Sequence, residues 1–203
     1  SMAEMMMGAD LTLPKRSEKK TRGSPQLSVA NVSVTSPFLY GVDLKDISFK
    51  LHSGEILGIA GIAGNGQKEL LEILSGEVLL KNEGEIIVDG ILVSSCGPNE
   101  RRRAGMAFVP EERLGHGAVP EMSLWENALL SGAQPMNLLD RGFIRMNEVI
   151  AYTGEIIKKF NVKTVNFHNP ASSLSGGNLQ KFIFGREILQ RPTVIVALQP
   201  TWG

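Results

Sequence analysis

The chain has 203 residues, 42% apolar and 21% charged, with 21 Lys+Arg against 21 Asp+Glu. That length supports one α/β domain with a core, and the even charge argues against non-specific nucleic-acid binding as the main role. The single cysteine, Cys96, cannot form an internal disulfide and points to a reducing compartment, and no apolar run approaches the ~18 residues of a membrane span.

Ser1 ahead of Met2 reads as a tag remnant. Residues 1–25 carry no periodicity and are locally basic through Lys15, Arg16, Lys19, Lys20 and Arg22, so they are expected to form a remnant and linker rather than part of the fold. From Leu27 the pattern turns to β, with Leu27, Val29, Val32 and Val34, then Ile47, Phe49 and Leu51 alternating with polar neighbours. The run Ile56-Leu57-Gly58-Ile59-Ala60 predicts a strand buried on both faces. Glu69 to Ser75 predicts a helix stopped by Gly76. Asp89-Gly90 is expected as a two-residue turn between Ile86–Val88 and Ile91–Val93.

Met106–Val109 is a further predicted strand. Ser123 with Glu126 forms a capping box that opens a helix through Leu130, and Val149, Tyr152, Ile156 and Phe160 follow at helical spacing. A mostly helical insertion is therefore expected over about 121–170. Another helix is predicted from Asn178 to Gln190, and Thr193–Leu198 as a last buried strand. Glu100-Arg101-Arg102-Arg103 reads as a solvated helix face.

Glycine makes up 22 of the 203 residues, about 11% against a usual ~7%. One cluster, Gly61-Ile62-Ala63-Gly64-Asn65-Gly66, sits between a predicted strand and a predicted helix, the context in which a glycine loop cradles phosphate. Gly61 and Gly66 fit the glycines of the P-loop pattern G-x-x-x-x-G-K-S/T, but Gln67 stands at the lysine position and Lys68 at the hydroxyl position. Lys68 is thus about 100° round the helix from the place where a lysine would meet the β- and γ-phosphates.

The second cluster is Leu174-Ser175-Gly176-Gly177-Asn178-Leu179-Gln180-Lys181. Here the chain resembles the nucleotide-binding domains of ABC transporters, whose signature begins L-S-G-G. The resemblance covers residues 3–203 and implies an α/β, P-loop NTPase-like fold with an antiparallel β subdomain and a helical insertion, the domain proper spanning 26–203. It implies that Ser175, Gly176, Gly177 and Asn178 face a phosphate of ATP held by the opposite domain of a head-to-tail pair. It assigns Gly61, Gly64, Asn65, Gly66, Gln67, Lys68, Glu69 and Glu111 to the chain's own nucleotide, and Tyr40, with Phe38 as its neighbour, to stacking on adenine.

Several positions depart from the family pattern. Val194-Ile195-Val196-Ala197-Leu198-Gln199-Pro200-Thr201 stands where four apolar residues and Asp-Glu-Pro-Thr are usual. Leu198 takes the metal-binding acid's place and Gln199 that of the general base, and an amide cannot accept a proton as a carboxylate does. Glu111, in Val109-Pro110-Glu111-Glu112-Arg113, replaces a usual Gln. No catalytic residue and no metal ligand is therefore expected in the chain's own site, with Mg²⁺ acting at the partner's.

The motifs are similar to those of the second domain of sugar- and nucleoside-importer ATPases, with residues 1–25 then including an interdomain linker. That resemblance implies a first nucleotide-binding domain in the same polypeptide, transmembrane permease subunits, an extracellular solute-binding protein acting indirectly, no nucleic acid, and a peripheral place on the cytoplasmic face of the cell membrane. The family's switch histidine follows the Asp-Glu-Pro-Thr strand. His52, His116 and His168 all precede it, so the domain is expected to be truncated at Gly203. Leu124 and Trp125 are candidates for contact with a permease. The competing expectation is a non-transport ABC ATPase of DNA repair or translation, which the short insertion and neutral charge disfavour.

Overall fold

A computed structural model of the chain describes residues 23–36, 41–81 and 84–200. Nearly all of the expected linker, together with Phe38 and Tyr40, lies outside the described residues. The first strands, β1 (Pro25–Val34) and β2 (Leu44–His52), pair antiparallel, and β1 pairs on its other edge with β3 (Glu85–Val88), which turns into β4 (Ile91–Leu92). The sheet order is β2-β1-β3-β4. Asp89 and Gly90, with φ of 45° and 80°, supply the left-handed pair that a tight hairpin turn requires.

The spacing of buried residues in β1 is two from Leu27 to Val29 but three from Val29 to Val32. Asn31, with φ of 52°, is the extra residue: Val29 faces Phe49 and Val32 faces Ile47. This bulge returns Val32 to the core side. The Ser48 hydroxyl accepts the Asn31 N–H at 2.8 Å.

Helix α1 (Gln67–Ser75) buries Leu70, Leu71, Ile73 and Leu74 and ends at Gly76, whose φ of 84° is the usual left-handed stop. Behind it lies the short helix α2 (Pro98–Arg103). Here the expectation of a solvated charged face fails at Arg101, which is 0% exposed. Its guanidinium donates to the carbonyls of Leu74 and Cys96 at 2.9 Å, of Ser94 at 3.1 Å, and of Ile73. The end of a helix leaves carbonyls without donors and carries partial negative charge, so a buried arginine fits there on both counts. Arg102 also turns inward, to Glu187 at 2.5 Å.

Strands β5 (Met106–Val109) and β8 (Val194–Ala197) form a parallel pair. Met106, Phe108 and Val194 join the core beneath the antiparallel sheet and α1, whereas Val109 and Ala197 join a second core under the helices. The two-residue period of a strand thus links the two cores. The second core is built on α3 (Leu124–Gly132), α4 (Met146–Lys159) and α5 (Gly176–Leu189). The capping box is formed: Glu126 N–H donates to Ser123 Oγ at 3.3 Å and Ser123 N–H to Glu126 Oε2 at 2.8 Å. The stretch expected as mostly helical also holds a ribbon, β6 (Leu139–Asp140) with β7 (Phe143–Ile144), turned by Arg141 and Gly142 at φ of 47° and 87°.

The apolar run at Ile56–Ala60 forms no strand, contrary to expectation, and Ile56 is 96% exposed. Hydrophobic residues become a buried strand only when neighbours pair the backbone. Among the described residues this segment runs beside β8 across a cavity of about 150 Å³, lined by Leu57, Ile59, Val196 and Leu198, without joining the β5–β8 ladder.

Candidate functional site

The glycine loop leads directly into α1. Gly64 and Gly66 have φ of 87° and 96°. At Gly66, the N-cap of α1, a Cβ would also stand 2.9 Å from Leu44 Cδ2, so both conformation and space demand glycine. Asn65 N–H donates to Gln67 Oε1 at 3.2 Å. Gln67 Nε2 donates to the Ile62 carbonyl at 3.1 Å. The Lys68 side chain is 78% exposed and lies 3.8 Å from Glu72 one turn along α1. Glu69 accepts the Val42 N–H at 3.1 Å and so ties residues 41–43 to the start of α1.

Glu111 and Gln199 follow the C-terminal ends of the parallel strands β5 and β8, where open α/β sheets receive ligands. Gln199, with φ of 45°, donates from Nε2 to Glu111 Oε1 at 2.6 Å. The side chain of Leu198 packs on the first core, and its N–H donates to the Val109 carbonyl at 2.9 Å. Mg²⁺ demands oxygen donors, typically a carboxylate or two plus phosphate and water. Leu198 offers none, and the Glu111 carboxylate is shared with an amide. These residues do not fit a magnesium ion held by the chain's own strand ends.

The signature segment is built differently. Helix α5 begins at Gly176, two residues before the expected start, with Ser175 as an extended N-cap. Ser175, Gly176 and Gly177 are exposed, and a Cβ on Gly177 would meet nothing within 4 Å. Asn178 shapes the turn by donating from Nδ2 to Ser175 Oγ and accepting the Lys163 N–H at Oδ1, both at 2.9 Å. Arg113 Nη1 lies beside Gly176, 2.7 Å from where a Cβ would stand.

The helix behind this turn is held by Leu179, Phe182 and Ile183 in the second core. It is also held by the buried Arg186, which donates to the carbonyls of Gly117 at 2.8 Å and Asn127 at 3.2 Å and to Glu187 at 2.9 Å. Sequence reasoning missed Arg186. The available signal was its helical register: it falls three and four residues after Ile183 and Phe182, on the core face.

Leu124, a candidate for permease contact, is instead 0% exposed in the second core, because the first turn of a capped helix seats it there; Trp125 is half-buried against the same core. The accessible feature nearby is a cleft of about 720 Å³ lined by Arg102, Arg103, Leu130, Gln134, Gln190 and Arg191. Among the described residues no helix is long and apolar enough to cross a membrane.

The profile of the ABC transporter family matches residues 44–201. The whole chain is 35% identical to a segment covering 37% of the glucose import ATP-binding protein TsgD13 of Haloferax volcanii. It is 30% identical to 39% of the guanosine import ATP-binding protein NupO of Bacillus subtilis. A putative ribose/galactose/methyl galactoside import ATP-binding protein of Rhizobium meliloti matches 98% of the chain at 35% identity, over 37% of its own length. The chain thus spans little more than a third of these relatives. Among solved structures, a dimeric ATP-binding cassette in a post-hydrolysis state bound to ADP and Pi superposes with a TM-score of 0.70 at 25% identity, over 87% of this chain and 75% of that one. A nucleotide-free cassette from an ABC transporter superposes at 0.63 and 21% identity, over 89% and 71%. With a mixed α/β fold like theirs and a family match over most of its length, the chain belongs to the ABC transporter family of ATP-binding cassettes.

Proposed function

We propose that this chain is the second nucleotide-binding domain of an importer for a sugar or nucleoside, and that it serves mainly by lending its signature turn to a partner's ATP. The carrying observation is the contrast between two helix starts. The Ser175–Gly177 turn is exposed with open space beside Gly177 and the Arg113 guanidinium beside Gly176, whereas the Gly61–Gly66 loop has its Asn65 amide taken by Gln67 and has Lys68 directed to Glu72. Helix-start amides and a serine hydroxyl suit a triphosphate arriving from outside. The loop, with Gln67 in place of a lysine, Lys68 turned to Glu72, and Leu198 and Gln199 at the strand end, suits weak binding without hydrolysis.

In this proposal the partner is a first nucleotide-binding domain of the same polypeptide, with Mg²⁺ acting at that partner's site. Permease subunits and, indirectly, an extracellular solute-binding protein complete the assembly at the cytoplasmic face of the membrane. The arginine-lined cleft beside Leu130 is the surface offered to a permease. The relatives named above are import proteins, which favours transport over DNA repair or translation.

The test is ATP turnover by the purified chain, then by the two-domain polypeptide. The chain alone should show no turnover above background, and Ser175→Ala with Gly177→Asp should cut turnover of the two-domain protein by tenfold or more. Steady turnover by the chain alone that disappears with Gly66→Val would overturn the proposal.

A further inference from the structure

The residue at the P-loop lysine position does more than lack a charge. Gln67 opens α1, and its carboxamide folds back into the loop that precedes it. One end accepts the Asn65 N–H at 3.2 Å and the other donates to the Ile62 carbonyl at 3.1 Å. The seat is close-fitting: a Cβ on Gly61 would stand 2.5 Å from Gln67 Nε2. Gly61 therefore clears room for this side chain.

An anion-binding loop works by leaving its N–H groups free for the ligand. Here one of them is matched by a neutral oxygen of the chain itself. A lysine at this position has no acceptor to offer Asn65, and its charge draws an anion in. Glutamine reverses both properties, because it carries an acceptor and no charge.

We propose that the Gln67 carboxamide is a built-in occupant of the glycine loop, which a nucleotide phosphate must displace before it can bind. This rests on the loop being a phosphate cradle. Weak binding at the chain's own site then has two separate sources: a missing cation, and a competitor held in place by two hydrogen bonds. Two net hydrogen bonds between neutral groups amount to about a tenfold effect on an equilibrium constant or more.

The experiment is calorimetric titration of the whole chain with ATP, alongside amide hydrogen exchange at Asn65 without nucleotide. Gln67→Ala vacates the seat without harming the helix start, and should tighten ATP binding about tenfold and speed exchange at Asn65. Gln67→Glu keeps the acceptor, adds a negative charge and loses the donor to Ile62, and should bind ATP more weakly than the wild type. If the wild type binds ATP and Gln67→Ala binds it no better, or if exchange at Asn65 is unchanged in Gln67→Ala, the occupant is refuted while the cradle stands. If neither the wild type, Gln67→Ala nor Gln67→Lys binds ATP, or if binding survives Gly66→Val, the cradle fails and the occupant with it.

Discussion

The glycine loop at Gly61–Gly66 and the signature turn at Ser175–Gly177 each open a helix, and in composition they look interchangeable. They differ in what surrounds them. The loop is exposed from Gly61 to Asn65 but leads into α1, which packs in the first core, and at its two ends the space is filled from within: Leu44 crowds Gly66, and the Gln67 carboxamide lies against Gly61. The signature turn stands on the second core but projects away from it, with open space beside Gly177. Small residues at a helix start thus mean different things according to whether the chain or something outside it fills the space they leave.

The strongest way to break the comparison is to damage the loop's helix and leave the signature alone. Arg101→Met removes the donor shared by the carbonyls of Ile73, Leu74, Ser94 and Cys96 at the far end of α1. Stranding several buried acceptors should cost about 2–4 kcal/mol of stability, read from urea unfolding curves. A loss under about 0.5 kcal/mol, the level of an ordinary surface change, would mean that Arg101 does not hold this helix end.

A smaller effect comes from making the same substitution in both turns. Gly66→Ala forces a Cβ into a left-handed position and against Leu44, and should cost about 1–3 kcal/mol. Gly177→Ala meets open space inside the first turn of α5, and should gain about 0.5–1 kcal/mol from the lower flexibility of the unfolded chain. The opposite signs, measured by thermal and urea unfolding, sharpen the distinction between a filled turn and an open one. Equal losses at both positions would erase it.

The parts legible in the sequence were those whose causes are local. The capping box at Ser123 and Glu126, the Asp89-Gly90 turn and the Gly76 stop each depend on a few adjacent residues. What escaped depends on distant partners. Ile56–Ala60 has strand composition, but a ladder requires a paired neighbour, and β8 does not pair with it. Arg101 sits in a charged run that reads as solvated, and only the approach of the end of α1 makes it a buried donor. The missing lysine at position 67 was plain from the motif. The folding back of the glutamine was not, since it follows from the curl of the loop and the bare surface of Gly61.

The smallest expected effect tests the helical layer on the signature's side, through pH. The Glu126 carboxylate accepts from the Ser123 hydroxyl at 2.5 Å and the Ser123 N–H at 2.8 Å, and these bonds hold its pKa below the ordinary glutamate value, the hydroxyl contributing most. A carboxyl depressed in the folded state stabilises fully above its unfolded value of about 4.3, and that contribution is lost as pH falls through the folded value. Ser123→Ala should therefore cost about 1 kcal/mol at pH 7, measured by urea unfolding, and the gap between variant and wild type should narrow at pH 3. Since α3 packs in the second core and not the first, this change should leave ATP binding at the glycine loop unaltered. A gap that stays constant from pH 7 to pH 3 would separate the cap from the charge of Glu126, and altered ATP binding would show that the two turns are not as independent as their cores imply.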